Sequence, residues 1–298
     1  MKQKLKLGFT DTHDHLASFF YHILSKRYDI EIDNEKPEFL IFGDENFGTN
    51  NKNFSKLDCI KIFYTGENRR PENYDCHYAI TFDHNFNPWH YRLPLFMIYI
   101  WSLENIHKAP YPQDYILENH IQPKTDFCSF VVSNGGCKER NDFFQKLNER
   151  KLVHSAGRHL KNVDVQLDTE VDKINYLAKH KFNICFESGS HPGYVTEKIL
   201  HAFYAGTVPI YWGSPTVSLD FNPNAFINVH SYKDINHCIE TIMAIYNDDE
   251  LYNRILTQPK FPFNIPPSYY LYDNFLNWFD AIVYRKIESR DANTLIYF

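Results

Sequence analysis

The stretch FNICFESGSHPGYVTEKILHAFYAGTVPIYWGSP, residues 182–215, decides the fold. Phe182 to Phe186 is an apolar run short enough to be a buried strand. Gly189, Pro192 and Gly193 break the chain in the loop that follows. Thr196 stands at a helix N-cap position, before Glu197, Lys198 and the periodic residues Ile199, Leu200, Ala202 and Phe203. Gly206 stops that helix, and Val208 to Trp212 reads as the next strand, closed by Gly213 and Pro215. Strand, loop, helix and strand make a βαβ unit. Its loop lies at the carboxyl end of a strand, where open α/β sheets take ligands.

The loop's chemistry agrees. A helix N-terminus offers free N–H groups and partial positive charge, which suits phosphate. Lys198 adds a full charge in the first turn. Glu197 beside it suits sugar hydroxyls or a developing cation. On periodicity alone, a capped helix with a surface Glu–Lys pair explains the same residues.

Outward from this unit, short apolar runs at Leu5–Phe9, Tyr28–Ile32, Phe39–Phe42, Cys59–Tyr64 and Tyr78–Phe82 alternate with polar turns and a helix carrying Leu16, Phe19, Phe20, Ile23 and Leu24. Gly43 to Asn53 reads as a polar loop. Asn105 to Pro123 holds three prolines and reads as a linker. Strands at Phe127–Val132, Val153–Ser155 and Phe226–Val229 flank the central unit. A helix spans about 139–147, and a longer helical region runs from Asp234 to Leu256. A last helix runs from Asp273 to Lys286. The fold class is α/β, two Rossmann-like domains with an interdomain cleft, over residues 1–122 and 123–272. The helix in 273–298 is expected to cross back to the first domain, as is usual in two-domain architectures of this kind.

Composition bounds the partners. A net charge of −6 argues against nucleic acid. Six scattered cysteines with no C-x-x-C pair read as free thiols in a reducing compartment. No signal peptide or transmembrane segment is visible, so the expectation is a cytoplasmic protein, peripheral at most to the inner membrane face, or one separated from an anchor. Fifteen histidines include His13 and His15, and His154 and His159 around a loop, but no metal-ligand motif and no Asp-x-Asp. No metal site is expected.

Other residues join the argument by position. Glu67 in FYTGEN, residues 63–68, ends an apolar strand in a turn; a solvent-facing turn carboxylate is the plain alternative. FVVSN, residues 130–134, ends in Asn134. Arg140 lies near a helix start, where a guanidinium can bind diphosphate oxygens in a fork. Gly157 and Arg158 follow a strand end.

The central stretch resembles the donor-binding motif of the α1,3/4-fucosyltransferases of glycosyltransferase family 10, particularly the short soluble bacterial members. FNICFESG, YVTEK and VPIYWGSP carry the resemblance, which is strong over residues 127–230 and in the FYTGEN island. Ser188 stands where the family has Asn. The resemblance implies the GT-B architecture and inverting transfer of L-fucose from GDP-β-L-fucose to a 3-OH or 4-OH of an acceptor containing N-acetylglucosamine or glucose, of the N-acetyllactosamine or lactose type. It implies Glu67 as the catalytic base. Glu197 would contact the donor, at ribose hydroxyls or at the sugar carbon. Tyr64, Asn134, Arg140, Gly157, Ser188, Tyr194 and Lys198 would be further donor-binding residues. No protein-bound cofactor is implied; a divalent metal would be at most a stimulant. The alternatives are another nucleotide-sugar glycosyltransferase and a non-catalytic glycan- or nucleotide-binding relative.

Overall fold

In the computed structural model, which describes residues 2–43, 53–85, 87–101 and 111–291, the first alternation becomes a parallel sheet. Its strands are β1 (Gln3–Thr10), β2 (Tyr28–Ile32), β3 (Phe39–Phe42), β4 (Ile60–Tyr64), β5 (Tyr78–Thr81) and β6 (His90–Arg92), in the order β2-β1-β3-β4-β5-β6. Helix α1 (Asp14–Ser25) follows β1 and α2 (Leu95–Trp101) follows β6. Parallel strands covered on both faces read as unbroken apolar runs, and all four residues of β3 are buried. Most of the loop read at Gly43–Asn53 lies outside the described residues.

The second parallel sheet runs β11-β10-β9-β7-β8. In chain order its elements are β7 (Asp126–Phe130), α3 (Lys138–Arg150), β8 (Val153–Ser155), α4 (Glu170–Leu177), β9 (His180–Phe186), α5 (Glu197–Tyr204), β10 (Val208–Trp212), β11 (Ile227–Asn228), α6 (Ile235–Tyr246) and α7 (Asp249–Leu256). The central βαβ unit is β9–α5–β10, with Phe182 opposite Val208 and Phe186 opposite Trp212. Gly206 ends α5 at φ +57°, and a Cβ there would lie 1.8 Å from the His120 carbonyl oxygen.

Two local readings change, and one helix was not read from the sequence. The region 234–256 is two helices, because the Asp248 side chain accepts from Leu251 N–H and caps a new start. Helix α4 is short, with Ile174, Tyr176 and Leu177 buried, and its start is marked by the capping box of Thr169 and Asp172. Thr196 holds the N-cap place of α5 but makes no cap bond; its hydroxyl is used elsewhere, as described below.

One apolar cluster spans both halves, beside a separate cluster in each. Phe96 of α2 packs on Phe221 of the second domain, ring centroids 4.8 Å apart. In the segment read as a linker, residues 105–110 lie outside the described residues, and Gln113–Leu117 forms a short 3-10 turn with Ile116 buried. The final helix, α8 (Tyr272–Asp291), buries Phe275, Phe279 and Ile282 and pairs Asp280 with Arg27 and Tyr28 of the first domain. Arg92 grips Asp220 across the domains through both carboxylate oxygens, each at 2.7 Å, and Tyr269 donates to the same carboxylate. All six cysteines are free. No helix among the described residues is long and apolar enough to cross a membrane.

Candidate active site

Parallel sheets present their carboxyl-end loops on one edge, and here the loops after β4 and β9 meet. Thr65, just beyond β4, folds the turn: its hydroxyl accepts from Glu67 N–H at 3.1 Å and donates to Glu67 O at 3.2 Å. Glu67 is left exposed, with one carboxylate oxygen accepting the Tyr194 hydroxyl at 3.1 Å. That hydroxyl also lies 3.1 Å from Ser188 Oγ. The Tyr194 ring is buried against Phe82 of the first domain, with centroids 5.1 Å apart. Gly189 lies against Asn68; a Cβ there would stand 3.3 Å from the amide nitrogen.

Behind Tyr194 sits a charged cluster at the start of α5. Glu187 is fully buried. Its carboxylate accepts from Thr196 N–H at 2.8 Å and from the Thr196 hydroxyl at 2.7 Å, and lies 3.1 Å from Lys198 Nζ. The helix N-terminus read as a phosphate site therefore already holds an anion of the chain itself. Gly213 makes this possible, since a Cβ there would come within 2.4 Å of Glu187 Cγ. Lys198 also donates to Thr196 Oγ1 at 2.9 Å and lies 3.6 Å from Glu197. About a quarter of its side chain remains accessible.

The electrostatics follow from burial and neighbours. Burial pushes the Glu187 carboxyl up, with Glu197 adding to the push and Lys198 opposing it. Burial also works against ionised Glu197, but Lys198, Lys173 and His201 outweigh it and hold that group below the usual carboxylate range. For Lys198, desolvation is outweighed by Glu187 and Glu197, which keep the ammonium protonated. The site thus fixes one cation between two carboxylates.

The other expected residues fall into two groups. Arg140 is 2% exposed. Its terminal nitrogens donate to the carbonyls of Asn134 and Phe186, so the guanidinium fork braces the loop after β7 against the end of β9; only Nε lacks a partner. Asn134 is exposed, and its side chain accepts from Gly136 N–H in a tight turn. Gly157 is needed for packing: a Cβ would lie 2.1 Å from the Val132 carbonyl oxygen. Tyr64 lies in the first-domain core, edge-on to Phe20 at 5.0 Å, with its hydroxyl under the Gly66 turn. Glu67, Ser188, Tyr194, Glu197 and Lys198 converge; Asn134, Gly157 and Tyr64 support the loops and the core. Sequence reading missed Glu187 and Thr196 as a pair. Their signal was a carboxylate just past a strand and a hydroxyl just before a helix, too common to single out.

Comparison with known proteins gives the family. Residues 6–99 match the profile of the alpha-(1,3)-fucosyltransferase FucT N-terminal domain. Residues 121–260 match that of the glycosyltransferase family 10 (fucosyltransferase) C-terminal part. The chain belongs to glycosyltransferase family 10. Among relatives of this family-10 chain, alpha-(1,3)-fucosyltransferase FucT of Helicobacter pylori is 33% identical over 90% of the chain and 58% of that protein. Putative fucosyltransferase R654 of Acanthamoeba polyphaga mimivirus is 30% identical over 47% of the chain and 25% of that protein. The chain therefore spans less than two thirds of the length of these curated relatives. A solved α1,3-fucosyltransferase with GDP-fucose superposes with a TM-score of 0.73 at 28% identity, covering 95% of this chain and 91% of that one. The two parallel sheets are the GT-B arrangement of the family. A concavity of about 330 Å³ beside the carboxyl end of β1, walled by Thr10, Thr12, Asp14, Ser18, Tyr21 and Asn34 among others, opens on the same sheet edge as Glu67 but does not include it.

Proposed function

We propose that the chain transfers L-fucose from GDP-β-L-fucose, with inversion, to a hydroxyl of an acceptor containing N-acetylglucosamine or glucose, the 3-OH first. One observation carries the reading. The Tyr194 hydroxyl of the second domain donates to the Glu67 carboxylate of the first at 3.1 Å, and Tyr194 also feels the charges of Glu187 and Lys198 in the cluster behind it. The family's solved member with GDP-fucose supports the donor.

In this reading Glu67 takes the proton of the acceptor hydroxyl as its oxygen attacks the anomeric carbon. The bond from that carbon to the GDP oxygen breaks on the opposite face, and the electron pair leaves with GDP. The accessible side of Lys198 receives the diphosphate and offsets the charge that builds on it. Arg140 acts from behind the loop, through its field rather than a fork. Glu197, held ionised, takes ribose hydroxyls or faces the electron-poor sugar carbon. Ser188 holds Tyr194, and Tyr194 holds Glu67. Ser188 is shorter than the family Asn and offers a hydroxyl in place of an amide, so its reach toward the donor is reduced while it keeps Tyr194 as a partner. The acceptor lies on the first-domain side, where Glu67 is exposed.

GDP release from GDP-fucose, measured against type 1 and type 2 lactosamine acceptors and lactose, tests the proposal. Release that depends on a type 2 acceptor fits a 3-OH target. No acceptor-dependent release, with donor bound, would overturn it in favour of a binding relative.

A further inference from the structure

The sequence places no two metal-ligating histidines in a motif, yet the fold gathers a pair with a carboxylate. The sheet order β9-β7-β8 makes these strands neighbours, with His154 in register with Ser129 of β7. Asp126 opens β7 directly opposite His180, which opens β9, and His154 lies in β8. His154 Nδ1 is 3.1 Å from His180 Nε2 and 3.6 Å from Asp126 Oδ1. One ligand atom from each residue lies within 4.8 Å of the others. This pole of the second sheet is opposite the loop edge that holds Glu187 and Lys198.

The surrounding bonds orient these atoms. His180 Nδ1 lies 3.0 Å from the Tyr176 carbonyl oxygen, which can only accept. The ring proton is therefore on Nδ1, and Nε2 presents a lone pair to the cluster. A carbonyl on the far ring nitrogen is the usual orienting partner of a metal-bound imidazole. The other oxygen of Asp126 accepts from the Thr125 hydroxyl at 2.7 Å, which fixes the carboxylate. With bonds of about 2.0–2.1 Å, a tetrahedral ion holds its ligands about 3.4 Å apart. The separations of 3.1 and 3.6 Å lie on either side of that value. His180 is fully buried, while the side chains of Asp126 and His154 are 30% and 25% exposed, which leaves a path for an ion and a water as fourth ligand.

We propose that Asp126, His154 and His180 bind one divalent transition-metal ion, with zinc the best match to two imidazoles and a carboxylate. The ion ties β7, β8 and β9 together and stabilises the second sheet, remote from the proposed transfer chemistry. The competing reading is a hydrogen-bonded histidine pair beside a carboxylate.

The test uses the full chain stripped with EDTA and dialysed. Zinc binding is followed by calorimetry, cobalt binding by its visible absorption, and stability by Tm with and without zinc. His154→Gln and Asp126→Asn change the accessible ligands, and circular dichroism checks that both variants fold. The proposal expects one ion per chain, a Tm that rises with zinc, and affinity at least about tenfold weaker in each folded variant. It is overturned if the parent chain binds no ion saturably. It is equally overturned if both variants bind with the parent's affinity and keep the Tm gain, which would place the ion among other histidines.

Discussion

Glu67→Gln is the sharpest probe of the proposed chemistry. The backbone turn does not depend on the side chain, because Thr65 holds both Glu67 N–H and Glu67 O. The carboxylate is exposed and has the Tyr194 hydroxyl as its partner at 3.1 Å, a bond the amide oxygen of Gln can also accept. Stability should therefore stay within about 0.5 kcal/mol of the parent. What Gln cannot do is take a proton. A positioned base supplies about 10²–10⁴ in rate, or roughly 2.7–5.4 kcal/mol at 1.36 kcal/mol per tenfold. The expected loss is in kcat, with GDP-fucose affinity nearly intact, since Lys198 and Glu197 lie on the other domain. Calorimetric donor affinity and steady-state transfer, measured on the same folded sample, separate the two quantities. Tyr194→Phe completes the cycle. If Tyr194 acts only by holding Glu67, its loss lowers kcat by about tenfold in the parent and adds almost nothing to Glu67→Gln. Transfer by Glu67→Gln within a few-fold of the parent would refute Glu67 as the base.

Three further outcomes follow from the charged cluster. Lys198→Ala should weaken donor binding and also destabilise the fold by about 3–5 kcal/mol, because Glu187 is left buried without its cation; adding Glu187→Gln should restore Tm but not donor affinity. Burial holds the Glu187 pKa above its ordinary 4.5, so the native state binds that proton more tightly than the unfolded chain does. Stability relative to Glu187→Gln should then rise as pH falls through the raised value toward 4.5 and level off below it; urea midpoints at pH 7 and pH 5 check the sign, and a change in the opposite direction refutes it. Transfer should persist after EDTA treatment at moderate temperature, since Lys198 is the proposed charge for the leaving diphosphate; complete loss that only added metal restores would contradict that.

The fold was legible because parallel strands buried on both faces are written as unbroken apolar runs. Phe39–Phe42 is of this kind, and Phe182–Phe186 is broken only by Asn183, which is buried and accepts from the Ser129 hydroxyl. Helix ends carried by side-chain caps were harder. Asp248 splits a helical region with one hydrogen bond, and the capping box at Thr169 starts a helix only eight residues long. At the site, local motifs marked which loops matter but not what each side chain does there. Arg140 sits where a diphosphate fork was expected, yet two carbonyls, one of them 46 residues away in sequence, claim its terminal nitrogens. Tyr64 is next to the Glu67 turn in sequence, but strand alternation points its ring into the core with Ile62. The Asp126–His154–His180 group joins three strands that only the sheet order makes neighbours.

Glu187 changes how the proposed donor site works. A helix N-terminus with a lysine nearby attracts phosphate, but here its Thr196 N–H already serves a buried carboxylate. That carboxylate also fixes the rotamer of Lys198, with help from Thr196 Oγ1 at 2.9 Å. A free lysine would lose up to about 2 kcal/mol of side-chain entropy when a ligand ordered it; in this site folding has already ordered it. The cost is electrostatic. Glu187, Glu197 and Lys198 carry one net negative charge when all three are ionised, so a diphosphate meets a fixed cation but no excess of positive charge. Two features reduce that cost. Arg140 adds a buried positive charge close enough to feel both Glu187 and Tyr194. Burial raises the proton affinity of Glu187, which weakens its opposition to a negative charge arriving at Lys198. Such a site trades raw attraction for a cation held in one place, which serves a step whose charge develops at one oxygen.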